Sequence, residues 1–174
     1  MTIEEIRKTT KYEVEITRVK YESEVCREES LIQQAGRMQS AFSFSTAALF
    51  MGMPVMFQYR GELSFWFLFV VVSSITIVLM MSLFASLMAQ NRGELKVFPN
   101  GNRFIQYIED NENFFDTEEK RNKYLAKAYA EVQESMTESN NKRVFWVRIS
   151  MELFYGALIL CTLWFIVAML IVFL

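Results

Sequence analysis

Residues 63–89 read LSFWFLFVVVSSITIVLMMSLFASLMA, and none of these side chains is charged. A helix needs about 20 consecutive apolar residues to cross the roughly 30 Å hydrocarbon core of a bilayer. In lipid every backbone N–H and C=O group must be paired within the protein, so an apolar run of this length predicts a helix. The stretch therefore predicts a transmembrane helix.

Two further apolar runs flank this stretch. Residues 38–59 contain no charge, and residues 149–174 carry only Glu152. The earlier run is the more polar, with hydroxyl or imino residues at Ser40, Ser43, Ser45, Thr46 and Pro54. A re-entrant or peripheral helix is the alternative for that run. We expect an all-α integral membrane protein with three transmembrane helices.

The basic residues predict an orientation. Seven of the 18 lysines and arginines precede residue 38, ten lie in residues 90–148, and Arg60 alone separates the first two runs. Basic residues collect on the cytoplasmic side of a membrane. The amino terminus and the segment 90–148 are therefore expected inside, and the carboxyl terminus outside.

The amino-terminal arm, residues 1–37, is predicted to be a cytoplasmic helix. Thr2 is a plausible N-cap, and Glu5 stands at the capping-box position. Part of the arm alternates apolar and polar residues, which is the strand period. A short hairpin near residues 11–21 is therefore the alternative.

The segment 90–148 divides further. A turn at residues 99–101 precedes a short amphipathic helix with Phe104, Tyr107 and Ile108. Asp116 is expected as the N-cap of a long helix that can continue into the third apolar run. The predicted parts are an N-terminal helical arm, a transmembrane hairpin, a cytoplasmic helical segment and a third transmembrane helix, at residues 1–37, 38–89, 90–148 and 149–174.

Small residues form a face on each of the first two runs. On the first run they are Ala41, Ser45, Ala48 and Gly52, and on the second Ser74, Ser82, Ala85 and Ala89, with Ser86 beside them. Small residues at spacings of three and four let helices approach closely in lipid. Such a face packs within one protomer, or it faces neighbouring protomers or the water of a pore.

Charges at the start of the third run are the other candidates. Ionisable groups inside a membrane are functional candidates by default. Glu152 also has a simpler interpretation, because Arg148 four residues earlier can hold it at the membrane interface. We regard both residues as pore-mouth or interface charges.

Composition excludes several function classes. The chain has no histidine, so catalytic systems based on Ser/His/Asp or Cys/His are excluded. Cys26 and Cys161 are too far apart in sequence and predicted location to form a thiolate metal site. Acidic and basic residues are balanced in both polar segments, which argues against a nucleic-acid partner. No catalytic, cofactor-binding or metal-binding residue is predicted, and we expect no enzyme.

The arrangement resembles small membrane effectors of bacterial antiphage defence. The likeness is strongest in KYLAKAY at 123–129 and SNNKR at 139–143, followed by the third run. Similar proteins include Pycsar membrane effectors, SLATT-domain proteins and the membrane accessory protein of type VI-B CRISPR systems. The resemblance implies assembly in the inner membrane, followed by permeabilisation or depolarisation, and a soluble activator as a further partner. The nuclease motif proposed for the CRISPR accessory proteins needs histidine and does not carry over.

Two functions are therefore open. The first is a homo-oligomeric membrane pore, whose partners are its own copies and the lipid bilayer, with cytoplasmic helices that gate or sense. The second is a membrane anchor or scaffold whose cytoplasmic helices dock a soluble partner. The pore is the leading prediction.

Overall fold

The computed structural model describes residues 3–61, 63–91, 106–107, 109–111 and 115–173. This part of the chain contains three long helices and no strand. They are α1 (Ile3–Gln58), α2 (Phe65–Gln90) and α3 (Glu118–Phe173). Each is long and apolar enough to cross a membrane.

Helix α1 joins the expected arm and the first apolar run without a break. Residues 11–21 are helical, so the alternative of a hairpin there is wrong. Pro54 lies within the helix, one turn before its end. A re-entrant segment needs an interruption of the helix, and none occurs between residues 38 and 58. The expected cap at Thr2 lies outside the described residues.

A tight turn connects α1 to α2. Gly61 has a φ of 58°, the left-handed region that favours glycine. The backbone N–H of Leu63 donates to the carbonyl of Arg60 at 3.0 Å, which closes the turn. The two helices are therefore neighbours in a hairpin, as the short connection predicted.

Helix α3 begins one residue later than expected. Thr117 precedes the first helical residue, and its Oγ1 accepts from the backbone N–H of Lys120 at 3.4 Å. The prediction of Asp116 as the N-cap was wrong, because this carboxylate instead accepts from Lys120 Nζ at 2.8 Å. The prediction that the helix continues unbroken into the third apolar run is confirmed.

The chain folds as two compact units, each assembled from segments that are distant in sequence. The first comprises residues 1–30 and 92–141, and the second residues 31–91 and 142–174. Within the described part of the first unit, Tyr21 of α1 packs on Tyr129 of α3, with ring centroids 5.8 Å apart. Phe115 is buried against Tyr124, 5.2 Å between centroids. The predicted turn at 99–101, Phe104 and Ile108 lie outside the described residues.

The second unit has two apolar cores. One contains Phe42 of α1, Ile75 and Leu79 of α2 and Ala157 of α3. The other is built on Leu31, Ala35, Ala89 and Val147. All three helices contribute to this unit, so the three apolar runs pack together as one bundle.

Candidate functional site

The small-residue face of α2 is used inside the protomer. Ser82, Ala85 and Ser86 are buried, and Ala89 belongs to an apolar core. Ser74 is half-buried, and its Oγ donates to the carbonyl of Val71 within the same helix at 2.8 Å. This face therefore packs against its own chain.

Ser150 of α3 is the partner of that face. Ser82 Oγ donates to the Ser150 carbonyl at 2.8 Å, and Ser150 Oγ donates to the Ser82 carbonyl at 2.9 Å. Both residues are at most 2% exposed. The sequence analysis missed Ser150, although it is a hydroxyl residue at the start of an otherwise apolar run. The reciprocal pair satisfies both hydroxyls where water is excluded.

The small-residue face of α1 has a different environment. Ser45, Ala48 and Gly52 line an open groove of about 290 Å³, and Ala41 accepts a hydrogen bond at its carbonyl from Ser45 Oγ at 2.9 Å. The opposite wall of the groove is formed by Ala157 and other residues of α3 and by two residues of α2. The remaining wall residues include Ile75, Leu79, Leu158 and Cys161.

Gly52 borders open space. A Cβ atom placed there would meet no atom within 4 Å. Close packing inside the protomer therefore does not explain a glycine at this position. Ala48 is exposed as well. The small-residue face of α1 therefore borders an open groove, whereas that of α2 packs within the protomer.

Arg148 and Glu152 form the predicted ion pair on α3. Arg148 Nε lies 2.8 Å from Glu152 Oε1, and the side chains are 78% and 61% exposed. The interpretation that Arg148 holds the carboxylate is confirmed. Solvent-exposed pairs at this spacing stabilise a helix by only about 0.3–0.5 kcal/mol. These charges are therefore available at the surface of the bundle.

A polar junction that the sequence analysis did not predict joins α1 to α3 in the first unit. The amide of Asn140 is 1% exposed and donates to the Glu24 carbonyl at 3.0 Å and to Glu24 Oε2 at 2.8 Å. Arg27 Nη2 donates to Asn141 Oδ1 at 3.0 Å. The SNNKR segment, quoted above for its resemblance, contains both asparagines. Buried polar pairs of this kind fix the register of packed helices.

The pKa shifts near the start of α3 arise from neighbouring side chains and from burial. The hydrogen bond from Lys120 lowers the pKa of Asp116, and the hydrogen bond to Glu119 raises the pKa of Lys123. Burial, followed by the nearby Tyr107, raises the pKa of Tyr124. These shifts arise from helix pairs and packing, and they outline no catalytic centre.

Metal-binding and redox groups are sparse in the described ranges. No group of three or more His, Cys, Asp or Glu side chains there could hold a metal ion. Cys26 and Cys161 are both free thiols on exposed positions.

The fold defines the class of protein. The part of the chain that the structure describes is helical, and three of its helices are long and apolar enough to cross a membrane. No protein-family model, curated protein or solved structure matches the chain. The class therefore rests on the helices themselves. The resemblance to antiphage membrane effectors stays a prediction from sequence pattern.

Proposed function

We propose that the chain is a homo-oligomeric pore of the inner membrane, in which neighbouring protomers meet along the α1 face. Residues 1–37 and 90–148 lie in the cytoplasm in this proposal, and the far end of α3 lies outside. The assembled pore permeabilises or depolarises the membrane. Antiphage defence is the setting suggested by the resemblance of residues 123–129 and 139–143.

The open α1 face is the observation that carries the proposal. Its small residues border a groove that the protomer leaves unfilled, whereas the corresponding residues of α2 are buried against α3. In lipid, helix association depends on close packing and on interhelical hydrogen bonds. A helix of a neighbouring protomer can approach the backbone of α1 at Ala48 and Gly52 without displacing a large side chain.

The polarity of α1 supports its place beside water. The membrane-length part of α1 is less apolar than that of α2 or of α3. Ser43 is exposed on its surface, as is Ser40, whose hydroxyl donates within the helix to the carbonyl of Gly36 at 3.2 Å. Hydroxyls are costly in hydrocarbon unless they are paired. A ring with α1 innermost would place its least apolar surface toward the water path.

The size of the particle in mild detergent tests this arrangement. Gly52→Leu adds a side chain where the protomer has room, so the protomer should fold, but close approach of a neighbour is blocked. We expect Gly52→Leu to shift the oligomer toward monomer in light scattering. Ala47→Leu is the matched control, because Ala47 is exposed on α1 but does not line the groove.

Two results would contradict the proposed assembly. One is a wild-type chain that is monomeric at every concentration, which would favour the membrane anchor. The other is a Gly52→Leu oligomer of unchanged size, which would place the contact elsewhere.

A further inference from the structure

A second groove lies between α1 and α3 within the second unit. It has a volume of about 340 Å³, and its walls include Leu31, Val147 and Met151. Leu31 and Val147 are buried in an apolar core, so the inner surface of the groove is fixed. No residue of the small-residue face lines it, and it is thus a separate feature from the α1 face.

The rim of this groove carries one positive and one negative side chain. Arg148 and Glu152 both line it, together with Gln34. Among the described residues, Arg148 uses only Nε and Glu152 only Oε1, in the bond between them. The two terminal nitrogens of the guanidinium group and the second carboxylate oxygen are therefore open to a ligand.

The sequence places this rim at the boundary of the third apolar run. The run begins at Ile149, between Arg148 and Glu152. Basic and aromatic residues prefer the membrane–water interface, and Trp146 precedes Arg148 by two residues in the sequence. A ligand at this level would have its polar group at the interface and its apolar part against the bundle.

We propose that this groove binds phosphatidylethanolamine of the inner leaflet. The lipid phosphate would accept hydrogen bonds from the guanidinium fork of Arg148, a geometry that suits phosphate oxygens. The ammonium group would donate to the carboxylate of Glu152. One acyl chain would lie along Met151 and Tyr155, on the membrane side of Arg148.

The two rim charges together select this headgroup. An anionic lipid such as phosphatidylglycerol has a phosphate for Arg148 but offers no cation to Glu152. Phosphatidylcholine has a cation without N–H donors. Of these three headgroups, only ethanolamine provides both an anion and a hydrogen-bonding cation, which matches the rim in charge and in donor chemistry. The inference needs the proposed membrane insertion, but neither assembly nor ion flux.

Native mass spectrometry of the purified full chain tests the site. Dioleoyl phosphatidylethanolamine, phosphatidylcholine and phosphatidylglycerol are added separately at equal concentration. We expect the wild-type chain to retain one ethanolamine lipid about ten-fold better than either other lipid, the effect of one charge-assisted hydrogen bond. Glu152→Gln should abolish this preference, and Arg148→Gln should weaken binding of all three lipids.

The matched controls are Glu119→Gln and Lys123→Gln. These residues form a similar ion pair at 2.7 Å in the other unit. Their substitution should leave lipid retention unchanged.

Equal retention of the three lipids by the wild-type chain would overturn the site, whatever the variants do. A wild-type preference that survives both Arg148→Gln and Glu152→Gln would also overturn it. Oligomer size is measured on the same samples. It shows whether the proposed assembly is contradicted as well, or only the lipid site.

Discussion

Ser82 and Ser150 each donate a hydrogen bond to the backbone carbonyl of the other, at 2.8 and 2.9 Å. The pair joins α2 to α3 at a position where both side chains are almost completely buried. Each hydroxyl contacts a carbonyl that already belongs to a helix, so the link requires no break in either helix. It explains why Ser82 is buried within the protomer.

Removal of either serine hydroxyl should destabilise the bundle. Interhelical hydrogen bonds in membrane proteins contribute about 0.6–2 kcal/mol each. We expect Ser82→Ala and Ser150→Ala each to lower the free energy of unfolding by about this amount in a detergent titration. Ser74→Ala is the control, since its hydroxyl bonds within its own helix. A loss at Ser74 as large as at Ser82 would contradict the role of the pair.

The buried junction between Asn140 and Glu24 predicts a charge effect. Asn140→Asp would place a second carboxylate where Glu24 Oε2 now accepts a hydrogen bond at 2.8 Å. Two carboxylates in one site repel, and the repulsion is relieved when one takes up a proton. The variant should therefore melt at a lower temperature than the wild type near pH 8, and the difference should narrow near pH 5.

Asn141→Asp is the comparison for that experiment. Asn141 is exposed, and its neighbour is the cationic Arg27. A carboxylate there should leave the melting temperature unchanged or raise it. If Asn140→Asp and Asn141→Asp have the same melting profile, the junction does not hold the two helices.

The ion pair of Asp116 with Lys120 predicts the direction of an acid effect. The hydrogen bond from Lys120 lowers the pKa of Asp116 in the folded state. A carboxyl group with a lowered pKa stabilises the fold above its unfolded pKa of about 3.9, and this contribution is lost as the pH falls through the folded pKa. When the pH is lowered from 5 to 2, the melting temperature of Asp116→Asn should therefore fall less than that of the wild type. Circular dichroism measures both melting temperatures.

The proposed orientation can be tested with the native thiols. Cys26 is exposed on α1 in the segment placed in the cytoplasm, and Cys161 is exposed on the apolar part of α3. A maleimide that cannot cross membranes should label Cys26 only after the cells are permeabilised. Arg60→Cys, in the turn between α1 and α2, should react in intact cells. Labelling of Cys26 in intact cells would reverse the proposed topology.

The three long helices could be predicted from the sequence, but not all of the contacts between them. Runs of spanning length with at most one charge are sufficient to predict three apolar helices, because lipid leaves the backbone few alternatives. The same reasoning could not separate the α1 face from the α2 face, since Ser82 and Gly52 both lie in patterns of small residues at spacings that place them on one helix face. Which face is closed depends on where Ser150 falls on α3, and that is set by three-dimensional register.

The N-cap of α3 was predicted wrongly because two neighbouring polar residues can fill that position. Asp116 and Thr117 can both cap a helix, and the choice between them follows from Lys120, which pairs with Asp116. The pairing of Arg148 with Glu152 was predictable because it needs only helical spacing. The contact of Asn140 with Glu24 was not, because 116 residues separate them in the chain.

The most direct test of the pore is ion flux across proteoliposomes that contain only this purified chain, with particle mass measured on the same preparation. We predict flux from an oligomer, and loss of both flux and oligomer in Gly52→Leu but not in Ala47→Leu. A monomer that passes no ions would contradict the pore and favour a membrane anchor.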